Sequence, residues 1–410
     1  MKRIVSLALI SILPLVAAVI RKDIDLPGEN FCYRQDSATH DCGNCQFTVT
    51  RYGSLGYMNS TQTGGVGFIY PAAGSNHLFY GSFCVGTDKD YMIDRYYNTA
   101  GDDTMWMTTV GGEVSWFEPG PGSFDEYSTA QYDDAGHPAA KNLRCDQFSW
   151  AYDEAAAYDF ITVQFVLHNE GASPIVDLYA AIIIDWDIGS ASANTGATDS
   201  ALSLAWMHYN TPYIGQAILD PPPDSTHLIA NLALIDNEIY VYPFTGLPDS
   251  FQIQFMDGTI QKDTTDRPFD WSLCTSAGPF TINSGDSAVV AFAILGGSDL
   301  DDLKSHAQQA LNRYWLGVEE YNHESPSSIR LYPIISCRQP YYLHYNLNKE
   351  TSVNINVINV AGQLVHSQGW SNLNGNGSIS FRLDHLSRGI YFVQIEAGEY
   401  TTSEKLILLD

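Results

Sequence analysis

Short apolar runs separated by turn residues occur along most of the chain and predict β-strands. The alternation is clearest near the C-terminus, where Val353, Ile355 and Val357 are separated by single residues. A period of two places neighbouring side chains on opposite faces of a strand, so one face of this segment is expected to lie on a core. Gly362 and Gly389 lie in the turns between runs, where glycine adopts positive φ angles at little cost.

The predicted strands form two groups. The first group comprises 46–52, 66–70, 77–85, 91–96, 105–109, 113–117, 143–150, 160–169, 175–184, 201–208, 214–219, 228–234, 238–241, 251–255 and 288–295. The second comprises 341–347, 352–360, 363–367, 378–383, 390–397 and 401–409. So many strands and so few helices predict an all-β protein, in which a large multi-stranded β-sandwich precedes a small immunoglobulin-like β-sandwich.

One helix is predicted at 299–316, after the first group of strands. Ser298 is expected to cap it, Asp301 to act as the capping-box partner, and Gly317 to end it. Its apolar residues recur at intervals of three and four. This spacing predicts that one face of the helix packs across the large sandwich and closes it.

The first residues have the layout of a secretory signal peptide. Lys2 and Arg3 precede an apolar run at 4–16, and cleavage is expected after Ala18. An uncleaved membrane anchor flanked by Arg21 and Lys22 is the alternative. The predicted organisation is a signal peptide at 1–18, a large β-sandwich at 19–317, a linker at 318–330 and a C-terminal domain at 331–410. Once processed, the chain is not expected to be an integral membrane protein.

Several motifs of the last eighty residues identify the C-terminal domain. They are Tyr332-Pro333, the turn at Gly362, the stretch containing Gly389 and Tyr391, and Lys405 close to the end. In this combination the domain resembles the type A C-terminal sorting domain of the type IX secretion system, found in Gram-negative bacteria of the Bacteroidetes lineage. One departure is that Ile334-Ile335 replaces the Asn-Pro that usually follows Tyr-Pro. An immunoglobulin-like module without an export role is the alternative.

The resemblance implies a route and partners. Sec export would bring the chain to the periplasm, and the type IX secretion translocon would carry it across the outer membrane. The associated sorting protease usually removes the domain, and the mature protein is then secreted or attached to the cell surface. The large sandwich would be the cargo, and the resemblance assigns it no activity.

Charge and composition narrow the range of partners. The 410 residues contain 47 acidic and 20 basic side chains, and the net charge is −27. Such a surface repels phosphates, so nucleic acid is not an expected partner. The acidic excess favours solubility, and its carboxylates are potential ligands of divalent cations. A hydrophobic content of 45% excludes general disorder.

Cysteine usage is consistent with an oxidising compartment. Cys42 and Cys45 form a C-x-x-C pair, for which a structural disulfide is the preferred interpretation in an exported chain. A zinc site would need a second pair, and the sequence holds no other C-x-x-C. A redox site would need a thioredoxin-like βαβ setting, whereas the flanking pattern predicts strands.

The strongest candidate for chemistry is an acidic loop after an apolar strand. Asp185 and Asp187 follow the strand predicted at 175–184, and Asn194 and Asp199 lie further along. Calcium prefers six to eight oxygen ligands from such flexible loops, so these four residues are predicted calcium ligands. The pattern differs from an EF-hand, because Gly189 takes a ligand position. A solvated acidic loop is the alternative.

Three classes of function remain open for the large sandwich. The favoured hypothesis is a non-catalytic domain that binds extracellular or surface material, such as a carbohydrate or surface polymer. Its candidate rings are Trp106, Trp116, Phe117, Phe124, Tyr127 and Tyr132, although a core role for them is preferred. The second hypothesis is a carbohydrate-active enzyme using Asp185 with Asp187, Asp153 with Glu154, or Asp125 with Glu126. The third is a passive structural component of the cell surface.

Overall fold

The structure is a computed structural model. It describes residues 33–98, 101–118, 120, 124–222, 228–316, 327–332, 335–336, 341–359, 363–387, 389–398 and 400–408. The predicted signal peptide at 1–18, together with Cys32, Pro333, Cys337 and Gly362, lies outside the described residues.

Strands dominate the described chain. In chain order they are β1 (Tyr33–Gln35), β2 (Ser37–His40), β3 (Gln46–Thr50), β4 (Ser54–Leu55), β5 (Phe68–Ile69), β6 (Leu78–Asp88), β7 (Tyr91–Ile93), β8 (Tyr97–Asn98), β9 (Gly101–Asp102), β10 (Met107–Thr108), β11 (Val114–Phe117), β12 (Glu126–Asp133), β13 (Leu143–Ala151), β14 (Phe160–Asn169), β15 (Ile175–Trp186), β16 (Thr195–Asp199), β17 (Leu204–His208), β18 (Tyr213–Asp220), β19 (Ile229–Asp236), β20 (Trp271–Ile282), β21 (Ser287–Gly297), β22 (Ser327–Tyr332), β23 (Ile335–Ser336), β24 (Tyr341–Asn359), β25 (Leu364–Phe381), β26 (Gly389–Ala397) and β27 (Tyr400–Leu408). The α-helices are α1 (Asn237–Tyr240), α2 (Asp249–Met256) and α3 (Leu300–Leu316), and short 3-10 turns cover Ala191–Ala193 and Tyr242–Phe244.

Two antiparallel sheets form the body of the protein, which we define as residues 34–316. The first has the order β1-β11-β12-β13-β14-β21-β18-β17-β16, with β10 beside β12. The second has the order β19-β20-β15-β6-β4-β3-β2, with β5 beside β3 and β7 beside β6. The predicted all-β class and sandwich architecture are confirmed.

Apolar and polar contacts join the two sheets. Phe83 of β6 stacks on Phe165 of β14 with 3.6 Å between ring centroids, and both are fully buried. The Trp186 indole donates to Gln216 Oε1 across the interior at 3.1 Å. Gln216 Nε2 in turn donates to Ile182 O and to Thr275 Oγ1. Buried polar groups are costly unless they are hydrogen-bonded, so this network fixes how the sheets are aligned.

Two predicted strands are helices in the structure. The strand expected at 238–241 is replaced by α1, because the Asp236 side chain accepts from Glu238 N and caps a helix there. The strand expected at 251–255 is α2. Phe251 and Phe255 are four residues apart and therefore share one helix face, where both rings contact Tyr240 with centroids 5.1 Å away.

The predicted long helix is present, but its cap differs from the expectation. Asp299 Oδ1 accepts from Asp302 N at 2.9 Å, and Asp302 Oδ2 accepts from Ser298 N at 2.8 Å. Asp299 is thus the capping residue and Asp302 the reciprocal partner, one position later than the predicted Ser298 and Asp301. The buried face of α3 packs on the outer side of the first sheet, as the spacing of its apolar residues predicted.

A buried carboxyl group lies beneath α3. The hydroxyl oxygen of Tyr314 lies 2.9 Å from Gln164 Oε1 and 3.2 Å from Asp220 Oδ2. The single hydroxyl proton of Tyr314 cannot be donated to both acceptors. If Asp220 is protonated, it donates to the Tyr314 oxygen, and Tyr314 donates to Gln164. Burial raises the pKa of Asp220 to about 7, against the opposing effect of the Tyr314 hydrogen bond.

This arrangement predicts a pH-dependent stability difference for Asp220→Asn. The folded state retains a proton that the unfolded state releases near pH 4, so wild-type stability falls as pH rises from about 4 to about 7. The amide carries no titrating proton and still donates to Tyr314. Above pH 7 we expect the variant to be more stable than wild type by roughly 1–3 kcal/mol, with the difference vanishing near pH 4.

Urea denaturation at a series of pH values measures this difference. Asp153→Asn, at an exposed carboxylate, is the control and should show no such trend. A variant of Asp220 that is less stable than wild type at pH 8 would contradict the protonated state.

The C-terminal residues form a separate third sheet. Its order is β22-β24-β26-β27-β23, with β25 beside β24, and β23 pairs with β27 in parallel. β22 pairs with β24 from Ser327↔Leu347 to Tyr332↔Tyr342, so the end of the predicted linker at 318–330 is already part of this sheet. β24 and β25 each run through two of the predicted strands. Their apolar residues form a core of their own, which includes Val353, Ile355 and Val357.

One side chain of the third sheet is buried against the body. Tyr342 is fully buried, and its hydroxyl donates to Asp146 Oδ2 at 2.8 Å. Its ring lies 4.7 Å from the His168 ring, and Arg144 lies 3.4 Å from its hydroxyl. Burial opposes ionisation of Asp146, but His168 and Arg144 hold the pKa of this carboxyl well below its usual value. The charged acceptor makes this a strong type of hydrogen bond.

The described cysteines are free thiols, which corrects the predicted disulfide. Cys45 Sγ donates to Tyr158 O at 3.5 Å, and the Cys42–Cys45 bridge is not formed. Cys84 and Cys274 lie on β6 and β20, which are separated by β15, and Cys145 lies in the other sheet. Burial raises the pKa of the Cys42 and Cys45 thiols. The thiolate needed for disulfide exchange is therefore disfavoured.

Candidate metal centre

Three carboxylates converge at one end of the second sheet. β15 carries Asp185 next to its C-terminal residue, and Asp187 follows directly after the strand. Asp270 precedes β20, which pairs with β15 in the register Asp185↔Ser272. Antiparallel pairing thus brings residues distant in sequence to the same edge. One carboxylate oxygen from each aspartate lies within 4.8 Å of those of the other two.

Neutral donors hold the carboxylates in place. Tyr97 donates its hydroxyl proton to Asp185 Oδ2 at 3.1 Å. Asn237 Nδ2 donates to Asp185 Oδ1 at 3.1 Å and to Asp270 Oδ1 at 2.7 Å. Asn237 is itself oriented by Ser272, whose hydroxyl donates to its Oδ1 at 2.9 Å. Tyr242 donates to the second oxygen of Asp270.

The electrostatics of the three carboxylates favour protons or a cation. Burial raises the pKa of Asp185 well above its usual value, and the charges of Asp270 and Asp187 act in the same direction. Burial, followed by the charge of Asp270, raises the pKa of Asp187 to about 6. Like charges at such distances are unfavourable unless a proton or a metal ion compensates for them.

The two other predicted ligands lie elsewhere. Asn194 is fully buried and holds the loop, since its Oδ1 accepts from Ile188 N at 3.1 Å and its Nδ2 donates to Ile188 O at 2.7 Å. Asp199 forms an ion pair with Lys304 of α3 at 2.8 Å. The structure therefore brings together Asp185 and Asp187 of the predicted set.

Asp270 and Asn237 are members of the site that the sequence analysis missed. Asn237 lies in α1, where a strand was predicted, and Asp270 directly precedes β20, which was not predicted. The signal that could have found Asp270 is an acidic residue immediately before a strand-like run, whereas Asp185 lies at the end of one. The pairing of β15 with β20 is not visible in a single sequence.

Exposed apolar side chains occur in the segment that contacts Asp270. Tyr242, which contacts Asp270, is 53% exposed, and Phe244 is 40% exposed. Ile239, 55% exposed, lies three residues before Tyr242, in α1. Phe269 lies 6.4 Å from Tyr242 between ring centroids, and Arg267 lies 4.7 Å above the Phe269 ring. We call Tyr242 and Phe244 the aromatic rim.

The aromatic residues considered in the sequence analysis do not form a surface platform. Trp106, Tyr127 and Tyr132 are fully buried, and Phe117 and Phe124 are nearly so. Trp116 is partly buried and lies 4.9 Å from the His40 ring. These rings fill the core, which is the role that the volume of a large β-domain favours.

The other carboxylate pairs considered for catalysis have structural partners. Asp125 Oδ2 accepts from Asp153 N at 2.8 Å, and Glu154 is paired with Arg313. Glu126 is 1% exposed, and its Oε2 lies 3.3 Å from His40 Nδ1.

A buried Ser-His-Glu arrangement occurs next to that pair. His40 Nε2 lies 2.7 Å from Ser149 Oγ, which also lies 2.6 Å from Ser128 Oγ. The order of groups resembles that of a serine hydrolase. However, His40, Ser149 and Glu126 are at most 1% exposed, so the arrangement is a polar contact between the sheets.

The residues of the predicted sorting motif occupy the third sheet. Gly389 begins β26 with a φ of 154°. The Tyr391 hydroxyl donates to Ser387 O at 2.7 Å and anchors the preceding turn. Lys405 pairs with Phe392, and Tyr332 with Tyr342. Pro333 and Gly362 lie outside the described residues.

Comparison with known proteins identifies the third sheet. The family described as secretion system C-terminal sorting domain matches residues 340–409. The C-terminal residues are therefore a sorting domain of the type IX secretion system, as their motifs predicted, and this domain implies secretion and attachment to the cell surface. In the part of the chain that the structure describes, no helix has both the length and the apolar content to cross a membrane.

Solved structures give more distant similarities. A polysaccharide lyase matches with 9% identity over 82% of this chain and 40% of its own, with a TM-score of 0.24. A lysyl oxidase of Pichia pastoris matches with 7% identity over 86% of this chain and 60% of its own, with a TM-score of 0.31. This chain thus spans less than two thirds of either protein. A search of curated proteins gave no match.

Proposed function

We propose that the body is a non-catalytic binding domain that captures extracellular or surface polymer through the aromatic rim, with calcium held by Asp185, Asp187 and Asp270. The observation that carries this proposal is the contact between Tyr242 and Asp270. It makes a half-exposed ring and a partly buried group of carboxylates parts of one site.

The chemistry of the donors favours calcium over other metals. All three side chains offer oxygen, which suits hard cations such as calcium, and none offers the nitrogen or sulfur that zinc and copper prefer. Burial and the neighbouring charges raise the pKa of Asp185 and Asp187, and a divalent cation would offset both effects. Calcium accepts irregular coordination completed by water or by hydroxyl groups of a ligand.

The rim supplies the second half of the binding surface. Tyrosine and phenylalanine present flat apolar faces, and such rings contribute strongly to binding when a ligand covers them. The chain carries a net charge of −27. A cation next to the rim would therefore be needed to attract an anionic polymer to this surface.

Calcium should stabilise wild type and not its site variants. After treatment with a chelator, calcium at a hundredfold excess over its Kd should add roughly 2.7 kcal/mol to the free energy of unfolding. Asp185→Asn and Asp187→Asn should lose the contribution of this centre, which thermal denaturation measures. Asp153→Asn, at an exposed carboxylate, is the control. An unchanged melting temperature of wild type in calcium would refute the metal centre.

Polymer binding can be measured separately by affinity electrophoresis. Native gels would contain alginate as an anionic polymer or dextran as a neutral one, with calcium or with chelator. We expect alginate to retard wild type in calcium, and the double variant Tyr242→Ala with Phe244→Ala to migrate freely. Val110→Ala, at a fully exposed position on another strand connection, should behave as wild type. Equal migration of wild type in all gels would contradict binding to these polymers.

One observation favours the enzymatic alternative. Burial and Asp270 raise the pKa of Asp187 to about 6, a value suited to a general acid at neutral pH. In that case wild type would cleave polysaccharide in the presence of chelator, and Asp187→Asn would lose at least about a hundredfold in rate. Release of reducing ends from alginate and dextran measures this activity.

A further inference from the structure

A second group of carboxylates lies on another part of the body. Asp94 follows β7, Asp103 follows β9, and Asp249 is the first residue of α2. One carboxylate oxygen of each lies within 4.8 Å of those of the other two. Backbone hydrogen bonds from Asp103 N to Tyr96 O at 2.8 Å and from Met105 N to Asp94 O at 3.3 Å hold the two loop segments side by side.

Two buried oxygen atoms at this place have no hydrogen-bond partner. Asp94 is 1% exposed; its Oδ1 accepts from Tyr96 N at 2.7 Å, whereas its Oδ2 accepts no hydrogen bond. Gln252, fully buried one turn after Asp249, reaches the Asp94 carboxyl with its amide group. Its Nε2 donates to Leu247 O, and its Oε1 has no partner. Buried oxygens without donors are rare and point to a group that the protein binds.

The charges of this group also require compensation. Burial raises the pKa of Asp94 well above its usual value, and the charges of Asp103 and Asp249 add to the rise. Burial likewise raises the pKa of Asp249, and His137 opposes this rise. Three carboxylates around a buried acceptor resemble the oxygen cages that bind hard divalent cations.

We propose that Asp94, Asp103 and Asp249 bind a second calcium ion. The ion would join the loops after β7 and β9 to the start of α2. The site is distinct from the first metal centre, although adjacent residues link the two. The backbone N–H of Tyr96 donates to Asp94, and the hydroxyl of Tyr97 donates to Asp185.

Calcium stoichiometry of the full chain tests this site. Equilibrium dialysis after chelator treatment should show two calcium ions on wild type and one on each of Asp94→Asn and Asp249→Asn. Asp187→Asn should lose the other ion, and the double variant Asp94→Asn with Asp187→Asn should lose both. Asp94→Asn keeps the side-chain oxygen that accepts from Tyr96 N, and Asp249 is half-buried, so both variants are expected to fold, which circular dichroism checks.

The outcomes separate this site from the proposed function. If Asp94→Asn removes one ion while Asp187→Asn removes none, the second site holds and the first centre fails. If folded Asp94→Asn and Asp249→Asn bind as much calcium as wild type, the second site is overturned. Displacement of this ion by an equal concentration of magnesium would also overturn the assignment to calcium. Asp301→Asn, an exposed helix-start aspartate, should match wild type.

Discussion

Deletion of residues 327–410 should leave the body in the periplasm and reduce its cell-surface and extracellular fractions to background. The third sheet is the sorting domain, and β22 must be removed with it because β22 pairs with β24 along six residues. Translocation by the type IX machinery depends on a signal that the deletion removes, whereas the predicted signal peptide, which would direct Sec export, lies at the other end of the chain.

Cell fractionation and immunoblotting in a host that carries the type IX system measure this effect. The matched control is Tyr342→Phe, which keeps the whole sorting domain and loses the hydroxyl contacts with Asp146 and Arg144 of the body. It should be exported like wild type. Full export of the deleted chain would show that the body carries its own signal.

Phe165→Ala should lower the free energy of unfolding of the body by about 3–5 kcal/mol. The ring lies between the two sheets, stacked on Phe83 and in edge contact with Phe292 at 6.1 Å between centroids. Its removal leaves a cavity, because strands on both sides are fixed by their hydrogen bonds and cannot close the gap.

Urea denaturation followed by tryptophan fluorescence measures this loss. Val110→Ala, at a fully exposed side chain, should change stability by less than about 0.5 kcal/mol. A loss below about 1 kcal/mol for Phe165→Ala would mean that the two sheets are not held together at this contact.

The strands that the sequence predicted best are those whose pattern depends on burial alone. β14 was predicted with its observed bounds, 160–169, because apolar residues make up most of it. β12 was missed, since Glu126, Ser128 and Gln131 give it the polarity of a loop. These side chains are satisfied by neighbours that only the fold provides, as in the contact between Gln131 and Asp146 at 2.7 Å.

Half of the candidate metal centre could be predicted. Asp185 and Asp187 are recognisable because an apolar strand delivers them locally. Strand pairing brings Asp270 to them. Asn237 is brought there by α1, which forms because the Asp236 side chain caps a helix in a segment of strand-like composition. The sorting domain was recognised because its motifs are local in sequence and occur together.

Because Tyr342 is buried against the body, removal of the sorting domain would change the surface of the body as well as the length of the chain. While the sorting domain is attached, the Tyr342 ring fills a pocket lined by Asp146 and His168. Cleavage between the body and the sorting domain would empty that pocket and hydrate a carboxylate that had a dedicated proton donor. After cleavage the body would therefore expose an acidic pocket that is covered in the precursor.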